Sequence, residues 1–99
     1  SATVLDLLAT QVDNMIVASA DLADSDKTEA YLKKTKAFVK GDFSGKFLQA
    51  GVAELTLAAI CNGIAAHEGV FAACGTFFVF SDYMKPAVRM ASIMELPVK

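Results

Sequence analysis

Glu54 is notable for the apolar run that follows it. It precedes residues 55–66, none of which carries a charge. A carboxyl group at the start of an apolar helix has two readings. It complements the helix dipole from the first turn, or it lies at the mouth of an apolar pocket, where burial favours sharing a proton with a ligand nitrogen. Taken alone, the position favours the first, structural reading.

An aromatic set and a polar loop are further candidates. Phe77, Phe80 and Tyr83 recur every three residues near a predicted strand-to-helix corner. They form either core packing or a stacking wall for a flat heteroaromatic ring. Asp21 and Ser25 follow the first predicted strand, where such residues most often serve as turn and cap residues. Combined with the glutamate, these residues describe a flat-ring site in which an acid faces an aromatic wall.

These side chains need elements to position them. A helix is predicted at the start of the chain, another over residues 53–66, and a last one that starts near Lys85 with a tighter turn before it. The last helix is expected to turn Val88, Ala91 and Met94 inward. Short apolar runs rich in β-forming residues predict three strands, at residues 15–18, 47–50 and 76–80.

One long polar segment and the last four residues remain. Residues 21–46 carry six of the nine basic residues and predict a long connection, with a short helix over residues 29–36. A connection of this length is uncommon unless it binds something, although a solvated lysine-rich loop is the simpler reading. Residues 96–99 resemble the entry to a further strand.

The alternation of apolar strands and helices predicts an α/β fold. It implies a doubly wound parallel sheet with helices on both faces, incomplete within 99 residues. Ligands bind such sheets at the carboxyl ends of the strands. The segments that matter most are therefore residues 21–25, 51–54 and 80–83.

Composition excludes several function classes. The net charge of −2 argues against an electrostatic grip on nucleic acid. The uncharged stretches 55–66 and 69–81 are shorter than the ~20 residues that a membrane-spanning helix needs. Cys61 and Cys74 match no zinc or redox spacing and are expected to be buried free thiols in a reducing cytoplasm. His67 has no cluster of other ligands around it, so no metal site is expected here.

Several strings in the chain resemble one enzyme family. In order along nearly the whole chain they are residues 18–23 (ASADLA), 49–54 (QAGVAE), 62–67 (NGIAAH), 75–83 (GTFFVFSDY) and 89–91 (RMA). These strings resemble transketolase. The family binds thiamine diphosphate between two subunits and transfers a two-carbon ketol unit from a ketose phosphate to an aldose phosphate.

The resemblance assigns expected roles to individual residues. Glu54 matches the family's cofactor-activating glutamate, which hydrogen-bonds a nitrogen of the pyrimidine ring. Phe80 matches the residue that stacks on this ring, and Ser25 matches a contact to the substrate's phosphate. The residues expected to line the cofactor site are Asp21, Leu22, Phe77 and Tyr83. Asp24 and Asp26 depart from the family pattern, in which Pro and Asn often flank the serine.

The resemblance also implies a setting for the chain. Residues 1–99 would form part of the pyrimidine-binding middle domain, and a chain without an initial Met is expected to be a segment of a longer protein. Another domain would hold the diphosphate and a divalent metal, Mg or Ca. The parent enzyme would be a cytoplasmic homodimer of the pentose phosphate pathway. Because the metal motif and the downstream catalytic residues are absent, the segment alone is expected to be inactive.

Two alternative hypotheses remain open at this point. The first is a related thiamine diphosphate enzyme, either a deoxyxylulose-phosphate synthase or a dehydrogenase E1 β-type subunit, since these families use an equivalent glutamate. The second is a non-catalytic α/β interaction domain. That hypothesis predicts a complete sheet within the chain and no pocket shared by Glu54 and Phe80.

Overall fold

The α/β architecture is present in the computed structural model, which describes all 99 residues. Strands and helices alternate along the chain, as the apolar pattern predicts. None of the four α-helices has the length and apolar character needed to cross a bilayer. The elements are α1 (Ala2–Gln11), β1 (Met15–Ser19), α2 (Glu29–Lys34), β2 (Phe47–Gln49), α3 (Glu54–His67), β3 (Phe71–Gly75), a 3₁₀ turn (Phe78–Phe80) and α4 (Ser81–Ile93).

The three strands form a parallel sheet in the order β2-β1-β3. Val17 in the central strand is level with Phe47 of β2 on one side and Ala73 of β3 on the other. The chain therefore winds outward from β1 in both directions, which confirms the doubly wound prediction. At the outer edge of β3, Lys99 donates its backbone N–H to the Ala72 carbonyl at 3.0 Å, so the chain end lies along the sheet, although residues 96–99 do not form the predicted strand.

Helices cover both faces of the sheet because successive β1 side chains point to opposite sides. On one face, Met15 and Val17 pack with Tyr31 of α2 and Phe47, beneath α1 and α2. The Tyr31 hydroxyl donates to the Met15 carbonyl at 2.7 Å, and burial raises the pKa of this tyrosine. On the other face, the core formed with α3 and α4 comprises Ala18, Ala20, Leu57, Ala58, Cys61, Ala72, Met84 and Ala87.

The predicted third strand, residues 76–80, is wrong. The strand is Phe71–Gly75, which begins five residues earlier and pairs with β1 over its whole length. Ala72 of this strand belongs to the core on one face of the sheet, and Ala73 packs against the core on the other face. The aromatic residues that suggested a strand instead turn out of the sheet, where Phe78 is 93% exposed. Strand propensity was overridden here by packing context.

The last helix also differs from its prediction. It begins at Ser81 rather than near Lys85, after the tighter 3₁₀ turn, so Pro86 lies inside it and removes one intrahelical hydrogen bond. The inward side chains are Met84 and Ala87. Of the three residues predicted to face inward, Ala91 is half-buried, whereas Val88 is 57% exposed and Met94 is 51% exposed. An interhelical bond from Asn62 Nδ2 of α3 to the Ala87 carbonyl, at 2.8 Å, fixes the rotation of α4.

Candidate functional site

Glu54 lies at the carboxyl edge of the sheet, as the first residue of α3. The residue is only 8% exposed, because the helix begins shortly after β2 and packs directly on the sheet. Thr76, which follows β3, donates its hydroxyl to Glu54 Oε1 at 3.3 Å. The carboxyl therefore lies between the start of α3 and the residue that follows β3.

A cleft of about 480 Å³ opens beside this carboxyl. The Phe80 ring is half-buried, and Tyr83 is more exposed. Phe80 stacks on Phe77 with ring centroids 5.9 Å apart and planes 20° apart. Its centroid lies 6.2 Å from that of Tyr83. The lining residues are Val52, Ala53, Glu54, Leu55, Thr56, Phe80 and Tyr83. An acid and an aromatic wall thus share one cleft, with Phe77 behind the wall.

The loop after β1 lies at the same edge of the sheet but does not line this cleft. Asp21 is exposed and has a left-handed backbone conformation, with φ of 62°. Ser25 is exposed, and its backbone N–H donates to the Leu22 carbonyl at 2.8 Å. The structure therefore brings together Glu54 and the aromatic set. It leaves Asp21, Leu22 and Ser25 on a separate loop.

Asp26 connects this loop to the sheet through side-chain hydrogen bonds, and the sequence did not predict this role. Its Oδ2 accepts from Ser19 Oγ at 2.7 Å. Its Oδ1 accepts from the Thr28 hydroxyl at 2.7 Å and from the Thr28 backbone N–H at 3.0 Å. The bond to the Thr28 backbone could have been predicted, because an aspartate side chain often hydrogen-bonds the backbone two residues further along the chain. The bond to Ser19, seven residues away, has no such local signature.

Gly75 provides the room for this carboxylate. A Cβ at position 75 would lie 2.8 Å from Asp26 Oδ2 and 2.9 Å from Thr28 Cγ2. We expect Gly75→Ala to destabilise the protein by about 1–3 kcal/mol, because Asp26 is held by its hydrogen bonds and cannot swing aside freely. Thermal unfolding measures the effect. Gly63→Ala in α3 is the matched control, since its Cβ meets nothing within 4 Å; equal stability of the two variants would contradict the account.

Two thiols lie beneath the site, between α3 and β3. Cys61 and Cys74 are both free, and Cys61 is fully buried. A hydrogen bond to Cys74, together with burial, raises the pKa of the Cys61 thiol well above its usual range.

His67 ends α3, with Nδ1 3.4 Å from the Glu68 carbonyl oxygen. No group of three or more His, Cys, Asp or Glu side chains is arranged to hold a metal ion.

Comparison with known proteins gives one consistent result. The family model described as "Transketolase, pyrimidine binding domain" matches residues 1–99. The chain is 46% identical over 98 residues to a transketolase of Bacillus subtilis (strain 168) and 40% identical over 98 residues to one of Aquifex aeolicus (strain VF5). Each alignment covers 99% of this chain and 14% of the relative.

Solved structures give the same picture. A transketolase from Leishmania mexicana matches with a TM-score of 0.93 at 32% sequence identity. A transketolase from Campylobacter jejuni matches with a TM-score of 0.87 at 36% identity. Each match covers 98% of this chain and 14% of the solved chain. The chain thus spans a small part of the length of the proteins that it matches.

Proposed function

The chain belongs to the family of transketolase pyrimidine-binding domains, and we propose from this that it holds the aminopyrimidine half of thiamine diphosphate in a ketol-transferring enzyme. The reaction moves a two-carbon unit from a ketose phosphate to an aldose phosphate. The observation that carries the proposal is the cleft shared by the buried carboxyl of Glu54 and the ring of Phe80. The alternative of a non-catalytic interaction domain requires these side chains to be apart, and the relatives named above are transketolases.

The residues of the cleft suit an aminopyrimidine. Such a ring has flat apolar faces and a polar edge with nitrogen atoms. Phe80 and Tyr83 offer aromatic surface for a face, and a carboxyl group such as that of Glu54 accepts or donates a hydrogen bond at a ring nitrogen, depending on its protonation. The cleft volume, about 480 Å³, lies within the range typical of small-molecule sites.

Each residue has a distinct part in the proposed mechanism. The bound cofactor supplies the carbon nucleophile and the electron sink for ketol transfer. Glu54 shares a proton with the ring nitrogen and so sets the orientation and protonation of the ring. Phe80, with Phe77 behind it, holds the ring in place and limits the access of water to the shared proton. The chain contributes positioning and proton control, while the covalent chemistry belongs to the cofactor.

The remaining components are proposed to lie outside this chain. Another domain holds the diphosphate through a divalent metal, Mg or Ca, and the partner subunit of a homodimer closes the site. The exposure of Phe78 and Val79 next to the cleft, 93% and 69%, supports a covering surface there. On the loop after β1, Ser25 faces the sugar phosphate, while Asp21 and Leu22 border the cofactor. We place the enzyme in the cytoplasm, in the pentose phosphate pathway.

Titration with thiamine diphosphate tests the proposal. The full-length protein that contains this domain is expected to bind the cofactor, and Phe80→Ala to weaken binding about tenfold because an aromatic stacking surface is lost. Phe43→Ala is the control, since Phe43 is 87% exposed in a different loop and is expected to leave binding unchanged. Failure of the wild-type protein to bind thiamine diphosphate would overturn the proposal.

A further inference from the structure

The Glu54 carboxyl has a single hydrogen-bond partner within the protein. Oε1 accepts from the Thr76 hydroxyl, and no other side chain or backbone group donates to this carboxyl. No fully buried side-chain oxygen lacks a partner, so the second oxygen, Oε2, retains solvent access, and Glu54 lines the cleft. The terminal torsion of a glutamate is intrinsically broad. The direction in which Oε2 points therefore depends on the bond to Thr76.

Thr76 is itself held in a fixed place. It follows Gly75, the last residue of β3, which is level with Ser19 of β1. Ser19 donates to Asp26, and the carboxylate of Asp26 closely approaches Gly75. The end of β3 is thus held beside β1 and the loop that follows β1. A β-branched side chain such as Thr76 also has few rotamers, so the positions open to its hydroxyl are restricted.

From this geometry we propose that Thr76 is a positioning residue for Glu54. Its hydroxyl hydrogen-bonds Glu54 Oε1 and so directs Oε2 toward the cleft. Oε2 is then the single oxygen that contacts the ring nitrogen of the ligand. The inference rests on the function proposed above and extends it to a residue beyond the predicted site. Thr76 touches neither cofactor nor substrate in this account and acts only through the glutamate.

Three variants of the full-length protein test the inference. Thr76→Val keeps the β-branched shape and removes the hydroxyl, while Thr76→Ser keeps the hydroxyl and removes the methyl group. Thr35→Val is the matched control, because the Thr35 hydroxyl is also partly buried and donates to the Tyr31 carbonyl at 2.7 Å, on α2. The readouts are the Kd for thiamine diphosphate, kcat, and KM for the sugar phosphates.

We expect Thr76→Val to lower kcat about tenfold and to raise the Kd for thiamine diphosphate severalfold, the size expected for the loss of one hydrogen bond. KM for the sugar phosphates should stay unchanged, because they do not meet Glu54. Thr76→Ser should restore both kcat and Kd, and Thr35→Val should behave as the wild type.

The possible outcomes separate the inference from the proposed function. If Glu54→Gln impairs cofactor binding and turnover while Thr76→Val does not, the inference is wrong and the function stands. If Thr76→Ser is as impaired as Thr76→Val, with a lowered unfolding temperature in both, the role of Thr76 is structural and the inference is also wrong. If the wild-type protein does not bind thiamine diphosphate, the proposed function fails and the inference falls with it.

Discussion

Turnover of the full-length protein is expected to fall by about 10²–10⁴-fold when Glu54 is replaced by glutamine, the range typical for loss of an acid–base group. Glutamine has nearly the same shape, and its carbonyl oxygen still accepts a hydrogen bond from Thr76. It cannot share a proton with a ring nitrogen, so the geometry remains while the proton transfer is lost. Steady-state measurement of ketol transfer, with saturating thiamine diphosphate, gives the result.

A second glutamate serves as the control for this experiment. Glu29 lies in α2, where it pairs with Lys33 at 3.0 Å on the surface. Glu29→Gln makes the same chemical change away from the cleft and should leave turnover unchanged. Wild-type turnover in Glu54→Gln would remove the assigned role of this carboxyl, because no other acidic residue lines the cleft.

The largest effect on stability is expected at Phe47. This residue of β2 is fully buried, and it packs against Tyr31, Met15 and Val17 beneath α1 and α2. Phe47→Ala removes most of the side chain and leaves a cavity, which should cost about 3–5 kcal/mol. That is a large part of the roughly 5–15 kcal/mol that stabilises a typical domain.

Hydrogen exchange measures this loss within the full-length protein. The backbone amides of β1 and β2 are expected to exchange much faster in Phe47→Ala, since their protection depends on this core. Phe43→Ala is again the control, because an 87% exposed ring contributes little to packing. Equal protection of these strands in the two phenylalanine variants would show that the core beneath α1 and α2 does not stabilise the sheet.

The fold could be predicted from the sequence where apolar runs are long. The buried strand after α1 and the apolar helix after Glu54 followed directly from such runs, and the alternation of elements implied the parallel sheet. β3 was misplaced because its residues, FAACG, have weak strand propensity. They form a strand because they pair with all five residues of β1, and local sequence does not reveal that long-range pairing.

The candidate site was predictable in part for the same reason. Glu54 and Phe80 were expected near one edge of the sheet because Glu54 follows one predicted strand and Phe80 ends another, although the roles of both came from the resemblance. The bonds from Thr76 to Glu54 and from Ser19 to Asp26 join residues 22 and 7 positions apart. Such contacts depend on where the strand ends meet, and no spacing in the sequence indicates them.

A crystal structure of the full-length protein with thiamine diphosphate tests the central claim most directly. The account predicts that the aminopyrimidine ring lies in the cleft, with one face against Phe80 and a ring nitrogen about 2.6–3.2 Å from the Glu54 carboxyl. The oxygen at that nitrogen should be Oε2, with Oε1 still bonded to Thr76. A pyrimidine ring bound elsewhere, or one whose nitrogen meets a group other than Glu54, would contradict the account.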